Sequence, residues 1–492
     1  MTKNHPQLYF KVTNVISLKT GKPDLCSELS RRKKMQDILK TTPAELLAKY
    51  DVPSPRYTSY PTVPYWDEKP LTQAQWMQHV KQAFRKTNST EGISLYLHLP
   101  FCESLCTYCG CNKRITKNHA VEEPYLRAIL QEWELYLAEF EEKPRITELH
   151  LGGGTPTFFG AQNLKTLLET LLEKTEVTPD AAFSIEVHPN ATNAEQLQVL
   201  YDLGFRRLSV GVQDFDPRVQ LAINRIQTFE RTKETFDVAR SIGYTSINAD
   251  IIYGLPFQDA DCVRYTIERV KELRPERIAF YSYAHVPWKS KAQRRYSEKD
   301  LPEPAEKRGL YELGRMMLEE AGYIEIGLDH FALPEDELYL AAQNGELHRN
   351  FMGYTPRHTE LLIGLGCSSI SDTGTAFMQN IKEVEPYEAA VETGELPLLK
   401  GHELTEEDLI IRKHILNLMC RLYTSWTEEE LPYFVDALIR LQPLEEDGLL
   451  EYSNHDIQVL EAGRPFLRNI AMCFDARLWS DKPTTPVFSK SV

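Results

Sequence analysis

The stretch Cys102-Glu103-Ser104-Leu105-Cys106-Thr107-Tyr108-Cys109-Gly110-Cys111 decides the reading of this chain. Three cysteines spaced C-x-x-x-C-x-x-C follow directly on the apolar run from Ile93 to Pro100. Such spacing lets one loop wrap three thiolates around a cubic cluster. A [4Fe–4S] cluster is held by Cys thiolates and normally uses four. Three from one loop leave one iron without a protein ligand, open to a group from a substrate. The competing reading is zinc, whose structural sites pair one close set of cysteines with a second, distant pair. Here Cys26, Cys262, Cys367, Cys420 and Cys473 stand singly, and none forms that second pair. A disulfide framework does not suit a long chain with isolated cysteines.

Outward from this loop the chain alternates. β-rich runs fall at Ser94–Leu99, Ile146–Leu151, Phe183–Val187, Arg207–Val212, Ser246–Tyr253 and Arg277–Tyr283. Helical patterns fill Glu122–Phe140, Asn163–Glu173, Ala194–Leu203, Glu230–Ile242 and Asp259–Leu273. Strands alternating with helices predict an α/β fold with a parallel sheet and crossover helices. Each unit takes about 32 residues, close to the ~31 of an eight-unit barrel, but the count stops at six. The repeat alone fits either a partial (β/α)6 barrel or an open doubly wound sheet.

In a barrel the site lies at the C-terminal ends of the strands. The cysteine loop follows the first strand, and Gly152-Gly153-Gly154-Thr155-Pro156-Thr157 follows the second. Bare backbone there lets a ligand approach closely; a plain tight turn is the alternative. Glu186 sits inside the third strand, where a buried carboxylate needs a partner. Gln213 ends the fourth, Arg225 lies in the loop beyond, Asp250 sits in the fifth, and Tyr283-Ala284-His285 ends the sixth. Each alone could be a satisfied core position. Their recurrence strand after strand points to a polar site.

The flanks divide as follows. Residues 1–35 read as a variable tail, with the basic run Arg31-Arg32-Lys33-Lys34. Residues 36–92 hold two helices, Thr42–Tyr50 and Thr72–Arg85, around Arg56-Tyr57-Thr58-Ser59-Tyr60-Pro61-Thr62. Prolines bracket that aromatic row and predict an extended, rigid segment, either a packing strap or a contribution to the site. The barrel takes 93–290. Residues 291–400 extend it with loops over the site mouth, around Gly327–Ala332 and Leu347–Thr355, and with the small-residue run Leu361–Ser371. Residues 401–480 read as a separate, small, mainly helical, winged-helix-like domain, with helices Glu407–Cys420 and Glu428–Leu441 before a hairpin. Residues 481–492 read as a tail.

The 492 residues are 42% hydrophobic and 26% charged, ordinary for a globular chain. No apolar run reaches the ~20 residues of a membrane span, and Met1–Asn14 lacks a signal-peptide core. A cytoplasmic protein without a membrane partner is expected. The net charge of −15 argues against nucleic acid as a partner.

The cysteine loop, with aromatic Tyr108 before its third cysteine, resembles that of the radical S-adenosylmethionine (SAM) superfamily. Four further features resemble the oxygen-independent coproporphyrinogen III dehydrogenase family within it: Arg56–Thr62, the fourth cysteine in Cys109-Gly110-Cys111-Asn112-Lys113, His348-Arg349-Asn350-Phe351, and Arg468-Asn469-Ile470-Ala471-Met472-Cys473-Phe474-Asp475. The resemblance tips the fold toward the partial (β/α)6 barrel. It implies a [4Fe–4S] cluster on Cys102, Cys106 and Cys109 and two SAM molecules. Tyr96, Gly153, Glu186 and Ile370 would hold the one chelated to the cluster. Tyr108, Gly154, Thr155, Gln213, Arg225, Asp250 and Ala284 would surround the second. Cys111 would stay off the cluster and serve turnover.

The implied reaction is oxidative decarboxylation of two propionates of coproporphyrinogen III to vinyl groups, in a monomer served by an electron donor such as flavodoxin or ferredoxin. Four propionates need cations; Arg56, Lys113, Arg349 and Arg357 are the candidates. A heme-chaperone branch is the alternative, although it typically lacks the fourth cysteine and the Arg56–Thr62 segment. A porphyrin-modifying methyltransferase of the superfamily is a further rival.

Overall fold

The computed structural model describes residues 44–67, 71–483 and 487–491. The expected tail 1–35, Cys26, and the helix start at Thr42 and Pro43 lie outside the described residues.

Six parallel strands run side by side in chain order: β1 (Ile93–Leu99), β2 (Arg145–Gly153), β3 (Glu176–Val187), β4 (Phe205–Gln213), β5 (Ser246–Tyr253) and β6 (Arg277–Ser282). A doubly wound sheet reverses its strand order midway. Here the order never reverses, so right-handed crossovers place every helix on the same face. Helices Glu122–Leu137, Ala161–Glu173, Ala194–Asp202, Phe229–Ile242 and Ala260–Leu273 accordingly pack each against the next in one outer layer. The sheet is a partial (β/α)6 barrel, and the doubly wound alternative falls.

Local chemistry sets these boundaries. Asp259 caps the last of the five helices by accepting from the N–H groups of Asp261 and Cys262. Cys262, Val263, Thr266, Ile267 and Val270 are its buried stripe, at spacings of three and four. Gly243, in the left-handed region at φ 120°, ends the helix before it.

Along the strands, side chains alternate between two environments. Leu95, Leu97, Leu149, Leu151, Ile185, Leu208, Val210, Ile247 and Ala249 are fully or almost fully buried. Glu148, His150, Ser184, Glu186, Arg207, Ser209, Asn248 and Asp250 occupy the intervening positions and line the barrel's polar interior.

The sheet extends past both edges. β7 (Ile324–Gly327) and β8 (His330–Ala332) form a hairpin whose β8 pairs antiparallel with β6. On the other side β9 (Leu362–Leu365) lies parallel to β1, pairing Tyr96 with Gly364. β10 (Ile370–Asp372), β11 (Ala376–Asn380) and β12 (Leu398–Glu403) continue antiparallel to a total of twelve strands. The expected loops at 327–332 and 347–355 are thus short hairpins, the second pairing His348–Asn350 with Gly353–Thr355. Strands of three or four residues are too short to show alternation in sequence.

Three expectations on the C-terminal region change. Helix 428–441 instead runs Val435–Glu446, after a 3-10 turn at Leu431–Tyr433 that contains Pro432. The region is not separate: Leu47, Tyr57 and Tyr60 share one core with Ile411, Leu418, Phe434, Leu441, Ile457, Phe466 and Phe474, and the described residues form one compact unit. Nor are the last residues a free tail. Ser54 N–H donates to the Ser489 carbonyl at 3.0 Å and Ser491 N–H to that of Val52 at 2.9 Å. The buried Arg468 guanidinium donates to the carbonyls of Ser54, Pro55 (3.1 Å) and Lys490 (2.9 Å). Arg468→Ala would strand those carbonyls, so it is expected to cost about 3 kcal/mol. Denaturant unfolding measures this, and an unchanged midpoint would show that the clamp contributes nothing.

Among the described residues, no helix is long and apolar enough to cross a membrane.

Candidate active site

A cavity of about 500 Å³ opens at the C-terminal ends of the strands. The cysteine loop forms one wall and is tied down on two sides. Thr107 donates to the carbonyls of Ile223 (N–H, 2.9 Å) and Ala222 (hydroxyl, 3.1 Å), and the Asn224 amide donates to that of Leu105 at 2.8 Å. Gly154 N–H donates to Leu99 O, and Thr155 N–H to Phe101 O. The glycine run is what lets the end of β2 press so close. A Cβ on Gly154 would stand 2.5 Å from the Pro100 carbonyl, and Gly153, at φ 116°, has the His98 ring where a side chain would go.

Cys102, Cys106, Cys109 and Cys111 all line this cavity. The Thr155 hydroxyl donates to Cys102 Sγ at 3.3 Å, and Arg225 Nη1 lies 3.8 Å from Cys106 Sγ. Burial pushes the Cys102 thiol up to about 11. The neighbouring Cys111 brings the Cys109 thiol down to about 6, and Cys109 raises Cys111 in turn. Cys111 is exposed at the cleft wall. Among the described residues no three His, Cys, Asp or Glu side chains converge on a single-ion site. A tetrahedral zinc ion needs such convergence. Three thiols that face one cavity without meeting at a point fit a polynuclear cluster, with hydroxyl and guanidinium donors to its sulfur ligands.

The structure brings eight further expected residues to the same lining: Tyr108, Gly153, Gly154, Thr155, Glu186, Gln213, Arg225 and Asp250. Glu186 accepts from Gly153 N–H at 3.2 Å and lies 3.6 Å from His150. Asp250 accepts from Ser209 and Asn248, both at 2.7 Å, and burial raises its carboxyl to about 6. Arg225 donates to Gly211 O at 2.6 Å while its buried Nε has no partner. An unpaired guanidinium edge at a cavity wall is a place for an acceptor from a ligand.

Three expected residues stand back from the lining. Tyr96 is inward on β1, stacked on His150, with its hydroxyl 3.1 Å from His98. Ala284 is tied in by its carbonyl, which accepts from Gln293 at 3.2 Å; the same amide donates to Tyr108 O at 3.0 Å. Ile370 packs beside Trp66, Phe377 and Leu404. Sequence reasoning missed the buried Gln293, which falls in the expected barrel extension, and Tyr281, one alternation before the noted end of β6. The candidate cations separate: Lys113 lines the cavity, Arg56 and Arg349 lie near the end of β6, and Arg357 pairs with Asp180 at 2.6 Å among residues from the opposite strand ends.

A family model described as the Radical SAM superfamily matches residues 96–270. Oxygen-independent coproporphyrinogen III oxidase from Salmonella typhimurium is 40% identical over 440 residues, covering 88% of this chain and 95% of its own. That from Helicobacter pylori (strain J99) is 38% identical over 451 residues, covering 89% and 98%. The fold is similar to that of coproporphyrinogen III oxidase from Escherichia coli, described as a radical SAM enzyme, with TM-score 0.81 and 39% identity over 86% of this chain and 97% of that one. The barrel and its three-cysteine loop define a radical SAM enzyme, a class characterised by a [4Fe–4S] cluster and SAM. Within that class, the chain belongs to the oxygen-independent coproporphyrinogen III oxidase family.

Proposed function

We propose that this enzyme converts coproporphyrinogen III to protoporphyrinogen IX in heme biosynthesis, by anaerobic oxidative decarboxylation of two propionates to vinyl groups. The observation that carries the reading is identity at 40% along 88% of the chain, joined to a cavity that gathers four cysteines and two inward carboxylates. Cys102, Cys106 and Cys109 would hold the cluster. When bound, the cluster and SAM supply one-electron chemistry able to take a hydrogen atom from a propionate β-carbon. The substrate then sheds CO2 and passes one electron to an acceptor, leaving a vinyl group.

The protein's part is to position the reactants and keep water out. Glu186 and Asp250 present acceptors to an ammonium group, and Arg225 presents a donor edge to a carboxylate or hydroxyl. Gly153 and Gly154 give access to bare backbone. We assign two SAM molecules to this lining, the second around Tyr108, Thr155, Gln213, Arg225 and Asp250. An electron donor such as flavodoxin or ferredoxin, a monomeric state and a cytoplasmic location complete the proposal.

The test is anaerobic cluster reconstitution, then incubation with coproporphyrinogen III, SAM and a reductant, with products read by mass. Protoporphyrinogen IX supports the reading. A methylated macrocycle, or heme binding without turnover, overturns it.

A further inference from the structure

Four cations crowd a short stretch of backbone beside the end of β6. Arg56 donates to Ser282 O at 2.8 Å and Lys307 Nζ to Tyr283 O at 3.1 Å. Arg349 donates to Arg56 O at 3.3 Å, and Arg468 to the carbonyls of Ser54 and Pro55. These acceptors are the carbonyls of adjacent residues on two neighbouring segments, 54–56 and 282–283, and all are neutral. Asp329 alone pairs with a member of the group, 3.6 Å from Arg56, and it also accepts from His330 at 2.8 Å. Among the described residues Lys307, Arg349 and Arg468 form no ion pair with a carboxylate.

Arg349 is 5% exposed, and its Nε and Nη1 have no hydrogen-bond partner. Stacking on Tyr354, 4.5 Å from the ring centroid, covers its face and leaves that donor edge bare. Arg56 and Lys307 are half-buried. Burial and the neighbouring Arg56 push Lys307 down to about 8 and Arg468 down to about 9. A chain of net charge −15 thus holds four buried or half-buried cations against two nearby carboxylates, Asp329 and Asp51, the second already paired with Lys490 at 2.7 Å. Such a surplus is costly unless an anion completes it.

We propose that Arg56, Lys307 and Arg349 form a carboxylate-binding site that takes a propionate of the tetrapyrrole substrate, with Arg468 holding the Ser54–Arg56 backbone in place. This rests on the substrate reading above. The site adjoins the cavity through Tyr281, which lines the cavity, precedes Ser282 and meets the His330 ring edge-on at 5.7 Å. A carboxylate can accept from the buried, unpaired edge of Arg349 and from the two outer cations together.

The probe is coproporphyrin III, the stable oxidised macrocycle with the same four propionates, titrated into anaerobically reconstituted enzyme beside its tetramethyl ester. Lys307→Met and Arg349→Met are each expected to weaken coproporphyrin III binding about tenfold or more, with iron content and SAM affinity unchanged. Arg349→Lys should recover part of the loss. The ester should bind weakly and ignore all three changes. Where a methionine variant melts early, Lys307→Gln and Arg349→Lys give the reading. Binding within twofold of wild type in variants that melt normally would overturn the site, as would an ester that binds as tightly as the acid. A fall in SAM affinity with porphyrin binding intact would assign the cations to the cofactor instead. Wild-type enzyme that binds coproporphyrin III but does not convert coproporphyrinogen III would sink the activity and leave the site standing.

Discussion

Enzyme carrying Cys102→Ser, Cys106→Ser or Cys109→Ser is expected to hold no [4Fe–4S] cluster after anaerobic reconstitution, and its turnover to fall to background. On the proposed assignment each thiol would supply one iron ligand, from a loop clamped through Leu105 and Thr107 to residues 222–224. Among the described residues, Cys262, Cys367, Cys420 and Cys473 do not line the cavity. Serine oxygen is a harder ligand than thiolate and suits an iron–sulfur centre poorly. Iron and sulfide content, with the spin signal after reduction, make the measurement. The full signal in any one variant would remove that cysteine from the ligand set.

Cys111→Ser is expected to do the reverse: keep a normal cluster spectrum and lose most turnover. A simple count makes Cys111 the fourth ligand. A fourth thiolate would close the cluster and leave no iron for SAM, so the carboxylates of Glu186 and Asp250 would face an empty space. In the structure Cys111 lines the cavity together with Cys109. That places it to serve the second cofactor or the electron leaving the substrate. Loss of the cluster in this variant would refute the open-iron assignment. Full activity would make Cys111 a packing residue.

Much of this was legible in the residues alone because the barrel's signal is local. Each strand is a short apolar run and each helix an amphipathic one, and the inward polar residues recur at the same place in successive units. Strand order was not legible, since six alternations fit two sheets; the unbroken order from β1 to β6 settled it. The edges escaped for a different reason. β7 to β11 span three to five residues each, too few for a period, and their pairing depends on partners distant in sequence. Gln293 escaped because it works through an amide that joins two backbone carbonyls, and nothing in its neighbours marks that. Lys307 carries no mark in the sequence beyond its charge. Only the fold lays its stem over Gly254 and its ammonium beside Tyr283.

The clamp formed by Arg468 carries a consequence for how the enzyme is made. Every strand of the barrel lies between residues 93 and 282, so the cluster loop and its walls can form while the ribosome is still at work. The segment bearing Arg56 is made earlier but cannot settle, because Tyr57 hydrogen-bonds Asp475 and Ser54 pairs with Ser489, more than four hundred residues away. It is therefore synthesised among the first parts and placed among the last. During synthesis there is an interval in which the cysteines are assembled and the wall beside β6 is still missing. Iron and sulfide delivered then would enter through a wider opening than the finished molecule offers, and release of the final residues would shut it.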